Sequence, residues 1–286
     1  MKPLLPWFLA LAWAIPVFAD EPIMNMMPRW SGGWGFQFVH EYRHESDLLL
    51  GRTKKYPGFT EDVHLLHLQG VYTWGEIPFG SLGNINTRLT AKLPYVLDAR
   101  REMPDGLGGK KNEKDHGIGD LTLALPLKKY DGSTSWTFKP MLAVPLVGDD
   151  EYEVYDNEWG YGLGLGYQTE TPKFSFGMDT SGWLYHENEP FESHSSIDIG
   201  YRLYRYDPEV KQDEDKGAIL WETDFHYEDD GSETLSAGPA FYWRFDKKNS
   251  EGVHMRLEWK HDFYDRQGVL DHGNGSTFKF GIGFVF

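Results

Sequence analysis

Large apolar side chains recur at every second position over most of this chain, and this period of two constrains the fold more than any other feature. The last ten residues place Phe278, Phe280, Ile282, Phe284 and Phe286 on one face of an extended segment. In the segment before them, one face holds Met255, Leu257, Trp259 and Phe263, and the other holds Arg256, Glu258, Lys260 and Asp262. A helix would spread both sets around its circumference, so the pattern predicts strands.

The same pattern predicts about twelve strands. Their length suits a tilted strand crossing a bilayer, which needs about 9–11 residues, better than a soluble sheet, whose strands have about 5–6. We place the strands at 33–43, 61–74, 81–98, 117–129, 135–147, 158–170, 173–186, 194–206, 217–227, 235–245, 253–263 and 276–286.

The connections between these strands alternate in length. Long or polar connections are predicted at 44–60, 99–116, 148–157 and 264–275, and tight turns at 75–80, 130–134 and 171–172. Two further connections, 207–216 and 246–252, are exceptions to the alternation because they are longer than tight turns. Long loops at one end and short turns at the other are typical of outer-membrane barrels, and an even number of strands returns both termini to the periplasmic side.

The composition excludes several classes of protein. The chain has 28 basic and 44 acidic residues, a net charge of −16, whereas nucleic-acid binding requires clustered Lys and Arg. It has no Cys, so disulfides and thiolate metal ligands are excluded. Beyond the first twenty residues, no apolar run reaches the length of about 18 that a transmembrane helix needs. Because only helices and closed barrels span lipid, the predicted fold is all-β, an antiparallel transmembrane β-barrel of about twelve strands.

The N-terminus has the features of a secretory signal peptide. Lys2 precedes an apolar stretch at 4–18 that is too short to span a membrane. We therefore predict a signal peptide at 1–19, a periplasmic segment at 20–32 and an outer-membrane barrel at 33–286.

The alternation also assigns the two faces of the barrel. Candidates for the lipid-facing wall are Trp34, Phe36, Phe38, Leu121, Leu123, Leu125, Leu127, Trp159, Tyr161, Leu163, Leu165, Phe241, Trp243 and Phe245. An Arg or Lys facing lipid at the bilayer midplane would cost about 2–4 kcal/mol, so the charged face is expected to point inward. The predicted lumen-lining residues are Glu41, Arg43, Arg88, Lys92, Asp120, Asp198, Arg202, Glu222, Asp224, Arg244, Arg256, Glu258 and Lys260.

Four glycines, Gly160, Gly162, Gly164 and Gly166, form a complete inner face without side chains. They could leave room in the lumen for a solute or a plug. Equally, they could allow the strand to curve and twist.

The His residues do not form a metal-binding pattern along single strands. His64 and His67 point to opposite faces, and His40 and His44 lie two pleat repeats apart. We therefore predict no metal site and no cofactor.

Two segments outside the strands could also bind metals. Met24, Met26 and Met27 offer soft thioether ligands, but packing into the barrel mouth with Trp30 is favoured. The acidic segment 148–153 offers oxygen ligands for Ca²⁺ or for divalent bridges to lipopolysaccharide. It lacks the spacing of an EF-hand, so a solvated loop is favoured.

An enzymatic barrel is the alternative class. Outer-membrane phospholipases use Ser and His on the outer wall, and His194, Ser195 and Ser196 are the candidates for such a pair. Neighbours on a strand point to opposite faces, and His194 and Ser196 lie about 6–7 Å apart. We therefore predict no catalytic residues.

Several segments resemble a known family. The segment 116–123, HGIGDLTL, is similar to the Gly-x-Gly-Asp strand opening of the meta-pathway phenol-degradation family of outer-membrane transporters. The segment 142–148, LAVPLVG, lies where that family has a strand ending in Pro-Thr-Gly, although Leu146 and Val147 here separate Pro from Gly. The segment 159–167 resembles the family's Gly-rich next strand. The resemblance implies an outer-membrane channel for small organic or aromatic compounds.

The C-terminus resembles the assembly signal of bacterial outer-membrane proteins, a Phe-alternating strand that ends in Phe. The predicted signal consists of Phe280, Ile282, Phe284 and Phe286. It implies the barrel-assembly machinery as a partner.

The sequence therefore predicts an outer-membrane channel for small solutes with a narrow, mixed-charge lumen. The predicted partners are membrane lipid, lipopolysaccharide, the assembly machinery and a small-molecule solute, without nucleic acid. The alternatives are a structural or surface-interaction barrel that does not conduct, and a lipid-modifying enzyme.

Overall fold

Twelve strands account for most of the chain. The computed structural model describes residues 33–50, 54–104, 110–131, 133–146, 154–155, 158–171, 173–186, 191–207, 212–245, 252–267 and 270–286. The strands are β1 (Gly33–Leu50), β2 (Lys54–Pro78), β3 (Asn84–Pro104), β4 (in the three segments Lys110–Ile118, Leu121–Ala124 and Leu127–Asp131), β5 (Thr134–Val144), β6 (Gly160–Glu170), β7 (Phe174–Tyr185), β8 (Glu192–Asp207), β9 (Gln212–Glu228), β10 (Glu233–Arg244), β11 (Gly252–Gln267) and β12 (Leu270–Val285). The segments 1–19, 20–32 and 148–153 lie outside the described residues.

The sheet is a closed antiparallel barrel. Each strand pairs with the next along the chain. β1 pairs with β12 in the register Phe38↔Ile282, which closes the ring. At this seam the Trp34 amide donates to the Phe286 carbonyl at 3.3 Å, and the Phe286 amide donates to the Trp34 carbonyl at 2.8 Å. The predicted fold and the number of twelve strands are confirmed.

The barrel has two distinct ends. The end that holds Gly33 and Phe286 also holds the β2–β3 connection, and we call it the turn end. We call the opposite end, where β1 ends at Leu50 and β2 begins at Lys54, the loop end.

Three predicted connections, 44–60, 99–116 and 264–275, are wrong because most of their residues belong to strands. β1 and β2 stay paired as far as Leu50↔Lys54, and β11 and β12 as far as Gln267↔Leu270. The connection predicted at 207–216 is shortened in the same way, since β8 reaches Asp207. Beyond the apolar band both faces of a hairpin can meet water, so the alternation disappears although the backbone pairing continues.

The turn predicted at 75–80 lies a few residues later. Gly75 remains in β2 at a bulge, and the chain reverses through a short 3₁₀ helix at Gly80–Leu82. Gly80 and Gly83 have φ angles of 54° and 77°, which only glycine adopts without strain. The 75–80 prediction was wrong because it relied on the first glycine of the segment.

The outer wall of the barrel is apolar. Trp34, Phe36 and Phe38 are about half exposed on β1, and Tyr161, Leu163 and Leu165 on β6 are likewise exposed. Among the described residues, no helix has the length and hydropathy to cross a membrane. An apolar belt around a closed barrel is the surface expected of a protein in the bacterial outer membrane, as predicted.

Candidate functional site: the charged interior of the barrel

Nine charged or ionisable side chains form a connected series of contacts inside the barrel, which we call the wall network. Its members are Glu41, Arg43, His67, Glu222, Asp224, Arg256, Glu258, Lys260 and Lys279. Lys279 joins the two halves, since its Nζ lies 3.8 Å from Glu41 Oε2 and 3.4 Å from Glu258 Oε1. The cross-strand register places Glu41, Lys279 and Glu258 side by side on β1, β12 and β11. The sheet therefore dictates which charges meet.

The wall network continues across β10 to β9. Lys260 Nζ lies 2.9 Å from Glu258 Oε1 and 3.2 Å from Glu222 Oε2, and it also contacts Asp224. Arg256 contacts both Glu222 and Glu258. Residues 222, 256 and 260 are each 1–2% exposed. Fully buried charges are tolerated only when they are paired, and this pairing meets that condition.

A cavity of about 60 Å³ lies across the barrel beside the wall network. This volume is large enough for several water molecules. Arg88, Lys128 and Lys139 contribute to its lining from β3, β4 and β5. Its acidic lining residues are Asp179 on β7, Asp198 on β8 and Glu222 on β9. Basic side chains from β3, β4 and β5 and acidic ones from β7, β8 and β9 thus line the same cavity, together with Arg256 from β11.

Tyr155, from the connection between β5 and β6, packs into the barrel against β4. A Cβ atom on Gly119 would lie 2.3 Å from the Tyr155 ring, so only glycine fits below it. Val154 and Tyr155 pack on a small apolar cluster formed by Val63, Leu65, Val96 and Ala99. The Val154 amide donates to Asp115 Oδ2 at 3.2 Å, which fixes the segment.

The charges around Tyr155 belong to the barrel interior. Arg43, Glu41 and Asp120 interact electrostatically with its phenol. Burial raises the pKa of the Tyr155 phenol, so its hydroxyl is protonated and can donate a hydrogen bond. The hydroxyl of Tyr155 therefore adds a hydrogen-bond donor to the interior of the barrel.

The HGIGDLTL segment is the irregular part of β4. Gly117 has a φ of 136°, which favours glycine, and Gly119 supports Tyr155. β4 is interrupted at 119–120 and again at 125–126. The backbone angle at Gly117 and the close approach of Tyr155 at Gly119 thus explain why both positions of the Gly-x-Gly-Asp motif are glycine.

Two glycines of β6, Gly160 and Gly162, face aromatic rings of β7. Gly160 pairs with Tyr185 and Gly162 with Trp183. A Cβ atom would lie 2.7 Å from the Tyr185 ring at position 160, and 2.8 Å from the Trp183 ring at position 162. At these two positions, the space that the glycines leave is occupied by side chains of the next strand.

The predicted lumen-lining residues fall into several groups. Glu41, Arg43, Glu222, Asp224, Arg256, Glu258 and Lys260 lie in the wall network, while Arg88 and Asp198 line the cavity. Lys92 pairs in register with the buried Gln69, and Asp120 is buried near Tyr155. Near the turn end, Arg202 Nη1 donates to Glu170 Oε2 at 3.3 Å, and Arg244 pairs in register with the buried His254.

Several interior residues are not among the predicted lumen-lining set. Lys279 and Lys139 alternate with apolar neighbours, so the period of two contained the signal for both, whereas Lys128 is followed by Lys129 and its face was ambiguous. Tyr155 belongs to a connection, where no periodicity assigns a face.

His194, Ser195 and Ser196 do not form an outer-wall pair. His194 pairs with His226 and Ser196 with Asp224, on the interior face, while Ser195 points to the opposite face. His194 Nε2 instead contacts Glu192 Oε2 at 3.4 Å.

A closed twelve-stranded barrel with an apolar belt and a charged interior defines the class of outer-membrane β-barrel proteins. The chain belongs to the family described as "Putative MetA-pathway of phenol degradation", whose model matches residues 51–280. The family resemblance found in the sequence is thereby confirmed. No curated protein matches this sequence.

Solved structures share the fold. An outer membrane channel from Pseudomonas putida F1 has a TM-score of 0.68 and 15% identity, over 94% of this chain and all of that chain. The transport unit of the autotransporter AIDA-I from Escherichia coli has a TM-score of 0.55 and 8% identity, over 98% and 97% of the two chains. The β domain of the Bordetella autotransporter BrkA has a TM-score of 0.50 and 11% identity, over 89% and 100%.

Proposed function

We propose that this protein is a passive outer-membrane channel for small solutes, which pass along the charged interior. The observation that carries the proposal is the cavity between Arg88, Lys128 and Lys139 on one side and Asp179, Asp198 and Glu222 on the other. A barrel that served only as a scaffold would gain no advantage from so many buried charges, since apolar packing stabilises a core at least as well.

The size of the barrel restricts the solute. Barrels of about eight strands are filled by their side chains, and those of about 16 leave an aqueous channel. Twelve strands lie between, so small molecules are the expected cargo. The charges of both signs suit polar or ionised organic compounds. The family description, which refers to phenol degradation, supports aromatic ones.

Planar-bilayer recording of the purified protein tests this proposal. We expect discrete conductance steps, and flux of small organic anions and cations into liposomes. In an Arg88→Gln variant the cation preference should rise, because a positive charge of the cavity is lost. An Arg100→Gln variant is the matched control, since Arg100 lies on the same strand and is exposed beside Asp98. Absence of conductance and of flux would favour the alternative of a structural or surface-interaction barrel.

We further propose that residues 1–19 are a signal peptide and 20–32 a periplasmic segment. N-terminal sequencing of the exported protein should begin at Asp20. Lipopolysaccharide, outer-membrane lipid and the barrel-assembly machinery are the proposed partners of the outer wall and of the C-terminal strand.

A further inference from the structure

Two histidines and a glutamate meet inside the barrel at the loop end. Glu192 and His194 lie two residues apart on β8, and therefore on the same face. His226 on β9 is the cross-strand partner of His194. Their ligand atoms all lie within 4.8 Å of one another.

The backbone fixes the position of these three side chains. The Phe191 amide donates to Asp229 Oδ1 at 3.1 Å, and the Asp229 amide donates to the Phe191 carbonyl, also at 3.1 Å. These bonds join the start of β8 to the turn that follows β9. The candidate ligand atoms of Glu192, His194 and His226 therefore lie on two hydrogen-bonded strands and not on a mobile loop.

The imidazoles of this cluster are arranged face to face. The rings of His194 and His226 are 4.2 Å apart with an interplanar angle of 27°. The buried Nε2 of His226 makes no hydrogen bond, although Glu228 Oε1 lies 3.3 Å away. The stacked rings therefore present their nitrogen atoms side by side, within 4.8 Å of a Glu192 oxygen.

We propose that Glu192, His194 and His226 bind a Zn²⁺ ion. Two His nitrogens and one Glu oxygen are a ligand set found in zinc sites that keep an open fourth position. With zinc–ligand bonds of about 2.0–2.1 Å, ligand atoms of a tetrahedron lie about 3.4 Å apart, so side-chain rotations that draw the three atoms together by at most about 1.4 Å complete the site.

The charged groups that act on His226 are mostly acidic, Glu192, Glu228 and Asp230, with Arg43 as a basic one. The side chains of Glu192, His194 and His226 are 15–33% exposed, so an ion can reach them from the barrel interior. The nearby Glu228 adds a negative charge. The fourth position faces the interior, where water occupies it or where an anionic oxygen of a solute can replace the water.

The sequence alone could not indicate this site. The three residues are separated by up to 34 positions, and only the β8–β9 register brings His226 to His194. The proposal replaces the expectation of no metal site, which considered histidines along single strands.

Metal titration of the full-length mature protein in detergent, purified without a polyhistidine tag, tests the proposal. We expect one equivalent of ZnCl₂ to bind by calorimetry, and CoCl₂ to give the visible absorption of a tetrahedral site. Mutating a residue that only hydrogen-bonds a metal ligand already lowers metal affinity by about 10–100-fold. A His194→Gln/His226→Gln variant, which loses two ligands, should therefore bind zinc at least about 100-fold more weakly. A Glu192→Gln variant should bind with intermediate affinity.

A His40→Gln/His64→Gln variant is the matched control. These two histidines also lie across a strand pair, with rings 5.6 Å apart, but they point to the outer wall. The His40→Gln/His64→Gln variant should bind zinc with the affinity of the wild type. All variants are first checked for a folded barrel by the mobility shift between heated and unheated samples on gels. The proposal is overturned if the folded wild type does not bind zinc, or if its affinity is the same in the His194→Gln/His226→Gln variant.

Discussion

Lys260 and Glu222 lie 3.2 Å apart, from Nζ to Oε2, although β10 separates their strands. The residue between them is Gly238, which pairs with Glu222 in the β9–β10 register. A Cβ atom on Gly238 would lie 1.9 Å from the Trp259 carbonyl oxygen and 2.9 Å from Lys260 Cα. The absence of a side chain on β10 is therefore what allows the wall network to cross from β11 to β9.

A Gly238→Ala substitution should destabilise the barrel. Because the new methyl group would overlap backbone atoms that cannot move away independently, we expect a loss of about 3 kcal/mol in the free energy of unfolding, the upper end of the range for overpacking. Urea unfolding in lipid vesicles measures the loss. Gly70→Ala is the matched control, since its Cβ would lie 3.7 Å from the Phe36 ring, an ordinary contact distance. This variant should change the free energy of unfolding by less than about 0.5 kcal/mol. Equal stability of the two variants would contradict the role given to Gly238.

Removing the charge of Glu222 should affect both stability and ion selectivity. In Glu222→Gln, Arg256 and Lys260 lose a shared carboxylate, which should cost about 3 kcal/mol, as expected for a broken buried pair. The interior gains a net positive charge, so the reversal potential in a salt gradient should shift towards anion preference. Asp98→Asn, which alters an exposed pair with Arg100, should leave the reversal potential unchanged. A shift of the same size in both variants would show that the cavity does not control selectivity.

The period of two predicted the strands and their faces, because one face of each strand meets lipid and the other does not. It could not predict which charges touch, since contacts such as Lys260–Glu222 depend on register and on a glycine in a third strand. The contact between His226 and His194 could not be predicted either, because it depends on the β8–β9 register. Residues 44–60 were predicted as a loop because hairpins above the membrane are polar on both faces.

The position of Tyr155 also could not be predicted. It belongs to a connection without periodicity, and its packing depends on the space above Gly119 on another strand. The motif glycines were recognised by resemblance, but their physical reasons, a positive φ at Gly117 and close approach at Gly119, required the structure.

The terminal Phe286 offers a test of the proposed assembly signal. Its ring is 67% exposed, whereas its backbone makes two hydrogen bonds to Trp34. Phe286→Ala keeps both bonds and should leave the stability of the folded barrel nearly unchanged, yet the assembled fraction in cells should fall. Deletion of Phe286 removes both bonds and should also lower stability by about 1–3 kcal/mol. Normal assembly of Phe286→Ala in outer-membrane fractions would refute the signal.

Truncation of Tyr155 should widen the barrel interior. In Tyr155→Ala the ring that rests on Gly119 is lost, so we expect a larger single-channel conductance and faster entry of small solutes into liposomes. Tyr155→Phe keeps the ring without its hydroxyl, and its conductance should stay close to that of the wild type. Tyr161→Ala, at an exposed position of the outer wall, controls for the loss of a tyrosine ring. If Tyr155→Ala and Tyr161→Ala conduct alike, Tyr155 does not narrow the path of the solute, and the constriction must lie at the cavity between Arg88 and Asp198.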